Sequence, residues 1–439
     1  MSLRPMDSEF KRLMTPSIAL LVLAALTPDE HEVEIIDENV SPIKNYDSAD
    51  LVGITSNVDT FDRARAISAR FMKTGSPVIF GGIFPSSCPD IAQQYCNSVC
   101  IGDAESNWAT ILADAAGRRL QKRYIGRREL NVDLIPRPKW EAIDKKNYLY
   151  TNVVTTSRGC IHTCEFCYNS CEYIVREYRR RPLVSVIREI ERLETKQVLF
   201  VDDNFLGDPK WLNEFLAVIT PLNLTWHAAV SVEIGRSLPL MDKMARAGCR
   251  SLFIGFESIN QSSVTGVRKR QNHVSEYETT IRELHDRQIM INASMVFGFD
   301  HDDAGVFDAT LQWLLLNRVE TMTAHILTPY PGTKLYARLE AEGRIIDKDL
   351  THYNTAHVVF QPALMSREEL LNGYLKIYDR FYSLKNIGRR FPRAREQWIP
   401  FILFNLGYRK FGSAISRIGK FGLMQFIGKA ARKLSYGID

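Results

Sequence analysis

The sequence predicts an α/β protein. A doubly wound parallel sheet over residues 1–125 is followed by a linker over 126–150, a repeated βα core over 151–345 and a helical region over 346–439. Three observations predict it. Short apolar runs alternate with amphipathic stretches along the first 345 residues, the pattern of parallel strands buried on both faces between crossover helices. Three cysteines crowd the loop after the first strand of the second series, the end of a parallel sheet where chemistry is placed. Beyond residue 386 the charge balance changes sign, which sets the C-terminal region apart from both sheets.

Composition bounds the class. The chain has 439 residues, 45% hydrophobic and 24% charged, with a net charge of +5, an ordinary globular balance with room for two or three domains. Its longest apolar runs, 18–26 and 398–404, fall well short of the roughly 18 residues of a membrane span. Lys11 and Arg12 precede the first run as they would in a signal peptide, but a helix of the parallel-sheet domain explains the segment. Eight cysteines are too few for a disulfide-stapled fold, and the expected compartment is a reducing one, the cytoplasm.

In the first part, residues 32–36, 51–55, 77–82 and 98–102 read as strands and 18–26, 61–73 and 106–116 as helices. Cys88, Cys96 and Cys100 fall among them and read as buried small apolar side chains rather than a second ligand set. The linker contains Pro136-Arg-Pro, suited to an extended connector. Six further strands follow at 153–156, 198–201, 225–231, 251–256, 290–297 and 323–327, with helices at 183–194, 210–219, 238–247, 275–287 and 304–317. Repeated βα units with right-handed crossovers curl into a barrel or partial barrel.

The run Ser157-Arg-Gly-Cys-Ile-His-Thr-Cys-Glu-Phe-Cys-Tyr168 puts Cys160, Cys164 and Cys167 within eight residues. This spacing suits one face of a cubane iron-sulfur cluster and leaves a fourth iron open to bind a substrate. A structural zinc site needs four ligands, usually in two knuckles, and no second pair stands at that distance; His162 and Cys171 are the local candidates for a fourth ligand. The C-x3-C-x2-C loop, with Phe166 before its last cysteine, resembles the signature of the radical S-adenosylmethionine (radical SAM) superfamily, which is built on a six-unit partial barrel. The resemblance implies a [4Fe-4S] cluster whose open iron chelates S-adenosylmethionine. A one-electron donor such as flavodoxin or ferredoxin then drives cleavage to methionine and a 5'-deoxyadenosyl radical, which takes hydrogen from an unactivated carbon.

Other strand ends extend the likeness. Val201-Asp-Asp-Asn-Phe205 stands where the family has a Gly-Gly-Glu turn for the ammonium of S-adenosylmethionine, which makes Asp202 and Asp203 the candidates for that contact; the alternative for each is a cap or a solvated turn. Glu257 in Gly255-Phe-Glu-Ser258 implies a contact to the ribose hydroxyls or the amino group. A buried strand-end carboxylate is costly unless paired. Asn292 and Ser294 share one face of their strand by alternation, and the run around Phe297, Val296-Phe-Gly-Phe-Asp300, resembles the family's backbone contact to adenine.

Thr15-Pro-Ser-Ile-Ala-Leu-Leu, Asp50-Leu-Val-Gly-Ile-Thr-Ser, Val78-Ile-Phe-Gly-Gly and Gly102-Asp-Ala-Glu-Ser resemble the Rossmann-like cobalamin-binding domain of one radical SAM subclass. The chain departs from it: no strand-like run precedes Thr15, no Asp-x-His-x-x-Gly motif occurs, and His31 is the first histidine. The domain reads as truncated, and three readings stay open: cobalamin without a protein ligand to cobalt, a relic that shapes the cavity, or a displaced start. With cobalamin the expected reaction is C-methylation; without it, cyclisation, desaturation or carbon-carbon coupling. An electron-transfer or scaffold protein is the non-enzymatic alternative.

Residues 387–439 hold eleven Lys or Arg against two acids, a net of +9, interleaved with Trp398, Phe401, Phe404, Phe411, Phe421 and Phe426. This composition fits an interfacial helix on an anionic membrane and hence a lipophilic substrate such as a lipid, polyprenoid or tetrapyrrole. Packing on the barrel is the plain alternative. Nucleic acid is disfavoured, because no binding module accompanies the charge.

Overall fold

The computed structural model describes residues 15–43, 48–126, 135–148, 150–174 and 178–410. The tail segment 411–439 lies outside the described residues. Among those described, no helix is long and apolar enough to cross a membrane.

The N-terminal part opens with helix α1 (Ile18–Leu26) and forms a four-stranded parallel sheet in chain order, β1 (Val52–Thr55), β2 (Val78–Gly81), β3 (Ser98–Ile101) and β4 (Arg123–Ile125). Successive side chains of β2 face opposite ways. Val78 and Phe80 pack with Phe61, Ala64 and Phe71 of α2 (Phe61–Lys73), while Ile79 packs with Ile111 of α3 (Trp108–Ala116). Both faces are covered, hence the unbroken apolar run in β2.

Two expectations need correction here. Residues 32–36 are not a strand: Glu32, Val33 and Glu34 are exposed, and Ile35 turns to Leu21 and Trp140 instead. The alternation was real, but its polar half is two exposed glutamates, and the segment joins none of the sheets formed by the described residues. Among the described residues the strands also stand in chain order, without the reversal of a doubly wound sheet, and the short β4 supplies the fourth strand. Cys96 and Cys100 are buried in separate apolar clusters and Cys88 packs beside the first, so the three form no ligand set.

The core is a six-stranded parallel sheet in chain order: β5 (Val153–Val154), β8 (Gln197–Phe200), β9 (Thr225–Val230), β10 (Cys249–Glu257), β11 (Met290–Phe297) and β12 (Thr321–Ile326). Helices α4 (Leu183–Glu191), α5 (Pro209–Ile219), α6 (Leu238–Arg246), α7 (Tyr277–Asp286) and α8 (Val306–Leu316) connect the strands in succession, as the spacing predicts. One face is solid core. Leu252, Ile254 and Phe256 are fully buried, and Trp226 sits among Phe200 and Phe205 with ring centroids 5.6 and 5.5 Å away. The other face stays open. Phe253 and Val201 on it are 37% and 40% exposed, so that face is not packed as the other is.

Beyond the sheet lie α9 (Lys334–Ala341), α10 (Arg367–Phe381) and α11 (Trp398–Lys410). A capping box of Ser366 and Glu369 starts α10. The edge of β12 is covered by side chains in place of a strand. The Tyr378 hydroxyl bonds the Ala324 N–H at 2.8 Å and its carbonyl at 3.0 Å, and that of Tyr382 does the same for Met322 at 3.0 and 2.6 Å. Fully buried Arg390 then donates to the carbonyls of Val319 (2.9 Å), Glu320 (2.6 Å) and Phe381 (3.0 Å). An open edge invites pairing with another chain; here it is satisfied internally.

Candidate active site

The cysteine loop hangs from a two-stranded antiparallel ribbon, β6 (Ser157–Arg158) paired with β7 (Arg179–Arg180). Gly159, at φ +80°, takes the left-handed turn into Cys160 that a side chain would disfavour. The loop is tied down on two sides. The Glu165 N–H donates to Val267 at 3.0 Å, its carbonyl accepts from Leu335 at 3.1 Å, and its carboxylate meets Arg268 at 2.8 Å.

Burial raises all three thiols, Cys167 to about 12. The Gln271 amide lies 3.6 Å from the Cys164 sulfur and the His162 N–H 3.5 Å from that of Cys160. All eight cysteines are unpaired. Of the local candidates for a fourth ligand, His162 Nε2 faces Glu233 at 2.9 Å and Cys171 is buried. Among the described residues no three His, Cys, Asp or Glu side chains converge on a single ion position. A zinc site requires such convergence, whereas the thiolates of a cubane bind separate irons. The donor set of three soft thiols fits a [4Fe-4S] cluster.

The two aspartates after β8 part company. Asp202 is buried, and its Oδ1 accepts from Thr156 N (2.9 Å), Thr156 Oγ1 (3.1 Å), Ser157 Oγ (2.6 Å) and Ser157 N, tying β8 to the neck of the loop. Its Oδ2 has no hydrogen-bond partner among the described residues. Desolvation outweighs these donors and pushes the carboxyl up to about 6. Asp203 is exposed and accepts from the Tyr168 hydroxyl, next to the cysteines.

Glu257 is buried at φ +64°, and its Oε1 meets the ammonium of Lys269 at 2.5 Å while Oε2 accepts from Ser294 at 3.2 Å. The structure thus supplies the counter-charge that sequence reasoning left to a ligand. Lys269 lies 5.8 Å from the Phe166 ring centroid, and the charge of Glu257 and the nearby thiols raises its pKa against the opposing desolvation. The sequence reading missed it, because Val267-Arg-Lys-Arg looks like a solvated charge run. Gly255 makes room for the pair: a Cβ there would lie 2.6 Å from Glu257 Oε1 and 2.8 Å from Lys269 Nζ. Half-buried Phe166 also meets Phe299 edge-on at 6.4 Å.

The remaining candidates spread along β11. Ser294 joins Glu257, but Asn292 lies nearer the start of the strand, where its Oδ1 accepts from Thr323 at 3.1 Å. The Phe297 ring packs on Phe307 at 4.8 Å in the outer core, and its carbonyl accepts from Leu327 N at 2.8 Å. Buried Asp302 takes the N–H groups of Gly298 and Phe299, both at 3.1 Å.

Known proteins resemble the chain along most of its length. The bacteriochlorophyllide d C-12(1)-methyltransferase of Chlorobaculum tepidum is 28% identical over 397 residues, 88% of this chain and 86% of that one. An anaerobic magnesium-protoporphyrin IX monomethyl ester cyclase of Cereibacter sphaeroides is 27% identical over 58% of this chain and 43% of its own. In fold, the chain matches the radical S-adenosylmethionine methyltransferase TsrM of Kitasatospora setae, with a TM-score of 0.66 at 17% identity, covering 94% and 97% of the two chains. Residues 333–401 match a domain of unknown function, DUF4070. Residues 154–314, from the first core strand through the helix after the fifth, match the model of the radical SAM superfamily.

Proposed function

We propose that this enzyme methylates an unactivated carbon of a lipophilic substrate, with a tetrapyrrole as the favoured class. The open iron corner implied by three thiols carries the reading. Its methyl-transfer part is supported by the N-terminal parallel sheet and by the named activity of the Chlorobaculum relative. The cyclase relative favours one second reading, radical cyclisation of the same substrate class without cobalamin.

When bound, the cluster supplies the electron that cleaves S-adenosylmethionine to methionine and a 5'-deoxyadenosyl radical, and a corrin would supply the methyl group. The residues then have positioning work. Cys160, Cys164 and Cys167 hold the cluster, and Phe166 with Lys269 walls it on one side. Asp203, exposed beside the thiols, receives the ammonium of S-adenosylmethionine; Asp202 fixes the neck. Glu257 and Ser294 border the ribose side, while Asn292 and the backbone around Phe297 lie further along the same strand. The open face bearing Val201 and Phe253 takes an apolar substrate and excludes water and competing hydrogens, which is what a radical step requires of its protein.

The division of labour follows the proposed boundaries: 1–125 for the corrin, 151–345 for the chemistry, 346–439 for the support and the surface. Helix α11 exposes Trp398, Ile399, Ile402, Phe404 and Leu406. Together with the +9 charge of residues 387–439 this supports docking on an anionic bilayer on the cytoplasmic side. Reconstituted anaerobically with an electron donor, the enzyme is expected to form 5'-deoxyadenosine and to pass deuterated methyl from labelled S-adenosylmethionine to a bacteriochlorophyllide. Unlabelled product bearing a new ring would select the second reading. Replacing the exposed Ile399, Ile402 and Phe404 by Ser should release the protein from phosphatidylserine vesicles; unchanged binding would remove the membrane from the account.

A further inference from the structure

The neck of the cysteine loop contains an electrostatic conflict. Arg158 and Arg179 are register partners on β6 and β7, directly opposite each other. Like charges so placed push two strands apart, and the other ties of this two-pair ribbon, Asp202 on Ser157, Arg180 on Asp208 and the Arg181 N–H on Thr156, leave that repulsion uncancelled. The neutralising charge comes from the other domain. Asp103, in the turn after β3, reaches Arg158 with Oδ1 at 3.0 Å and Arg179 with Oδ2 at 2.5 Å, and Glu105 adds a second contact to Arg158. The four side chains are between 7% and 25% exposed, so solvent screens them little.

The turn is built to present these acids. Gly102 takes φ +76°, and its N–H is held by Ser86 Oγ at 2.9 Å. Gly126, just past β4, packs so closely that a Cβ would lie 2.6 Å from the Asp103 carbonyl oxygen.

We propose that the Gly102–Glu105 turn is a latch: by neutralising two opposed arginines it closes the ribbon from which the cluster-binding loop hangs, so that the N-terminal domain sets how firmly the cluster is held, whatever else that domain binds. Asp103 and Glu105 are positioning residues, acting on the cysteines through Arg158 and Arg179. The inference rests on the reading of the three cysteines as cluster ligands and survives if the substrate class proposed above is wrong.

The test is the rate at which a chelator bleaches the visible absorbance of the anaerobically reconstituted holoenzyme, together with the electron paramagnetic resonance spectrum of the reduced cluster. Asp103→Asn should speed iron loss by about tenfold or more, as loss of a supporting partner does at other metal centres, and should broaden the spectrum. Adding Arg179→Gln to it removes the repulsion and should restore most of the wild-type rate. Asp90→Asn, which breaks an exposed ion pair with Arg123 elsewhere in the same domain, should change neither readout. A wild-type rate in Asp103→Asn, or a fast rate that Arg179→Gln leaves uncorrected, overturns the latch. Should Asp103→Asn fail to fold, Glu105→Gln carries the same test: a faster loss supports the proposal and an unchanged one refutes it.

Discussion

Asp202 offers a prediction with its sign and size set by the structure. Its carboxylate is buried, and four donors gather on Oδ1 while Oδ2 has none among the described residues. Burial therefore wins, and the folded pKa stands at about 6 against an ordinary 3.8. An acid whose folded pKa is raised binds its proton more tightly in the native state, so as the pH falls from 8 through 6 the native state gains stability relative to the unfolded chain. For these two pKa values the gain is on the order of 1 kcal/mol between pH 8 and pH 5. Asp202→Asn keeps an oxygen for the two N–H groups and cannot titrate. The stability gap between it and the wild type should therefore move by that amount across the window, the variant faring relatively better at pH 8. A local readout suits a chain of this size, in which unfolding need not be two-state. Hydrogen exchange of a peptide covering residues 152–159, compared between the two proteins at each pH, cancels intrinsic exchange rates. A gap that stays constant from pH 8 to pH 5 would refute the reasoning, since it would mean that the carboxyl does not titrate there.

Three further outcomes follow from the same contacts. Cys164→Ala should abolish the cluster absorbance and 5'-deoxyadenosine formation, whereas Cys171→Ala, aimed at a buried thiol, should retain both. Arg390→Met strips donors from three buried carbonyls and from Asn405; a loss of about 3–5 kcal/mol is expected, read as a lower melting temperature and faster proteolysis within 346–410. Lys269→Met leaves Glu257 buried without its counter-charge and should cost about 3–5 kcal/mol, while Lys269→Arg should recover part of it.

Much of the fold was legible because parallel strands and amphipathic helices repeat with fixed periods. Strand β11 and helices α1 and α2 have the bounds the sequence predicts, and six core strands stand in the predicted order. Residues 32–36 misled because alternation specifies a strand only where a neighbour can pair its backbone. The three-residue β4 was too short to carry a period. At the site, the cysteines were visible as a local spacing, and so were the aspartates after β8. Lys269 and the Asp103–Arg158–Arg179 group were not, because each is defined by residues far apart in the chain. Tyr378, Tyr382 and Arg390 were hidden for the same reason: nothing in a helical pattern announces that hydroxyls and a guanidinium will finish the edge of a distant strand.

The central claim is that three cysteines hold a cluster whose fourth iron binds S-adenosylmethionine. Electron-nuclear double resonance of the reduced, anaerobically reconstituted enzyme with S-adenosylmethionine carrying nitrogen-15 in its amino group tests it most directly. A nitrogen-15 coupling to the cluster, lost when any of Cys160, Cys164 or Cys167 is replaced by Ala, is the predicted result. A reduced cluster that shows no such coupling at saturating S-adenosylmethionine, with a protein nitrogen or a fourth sulfur on the last iron, would contradict it.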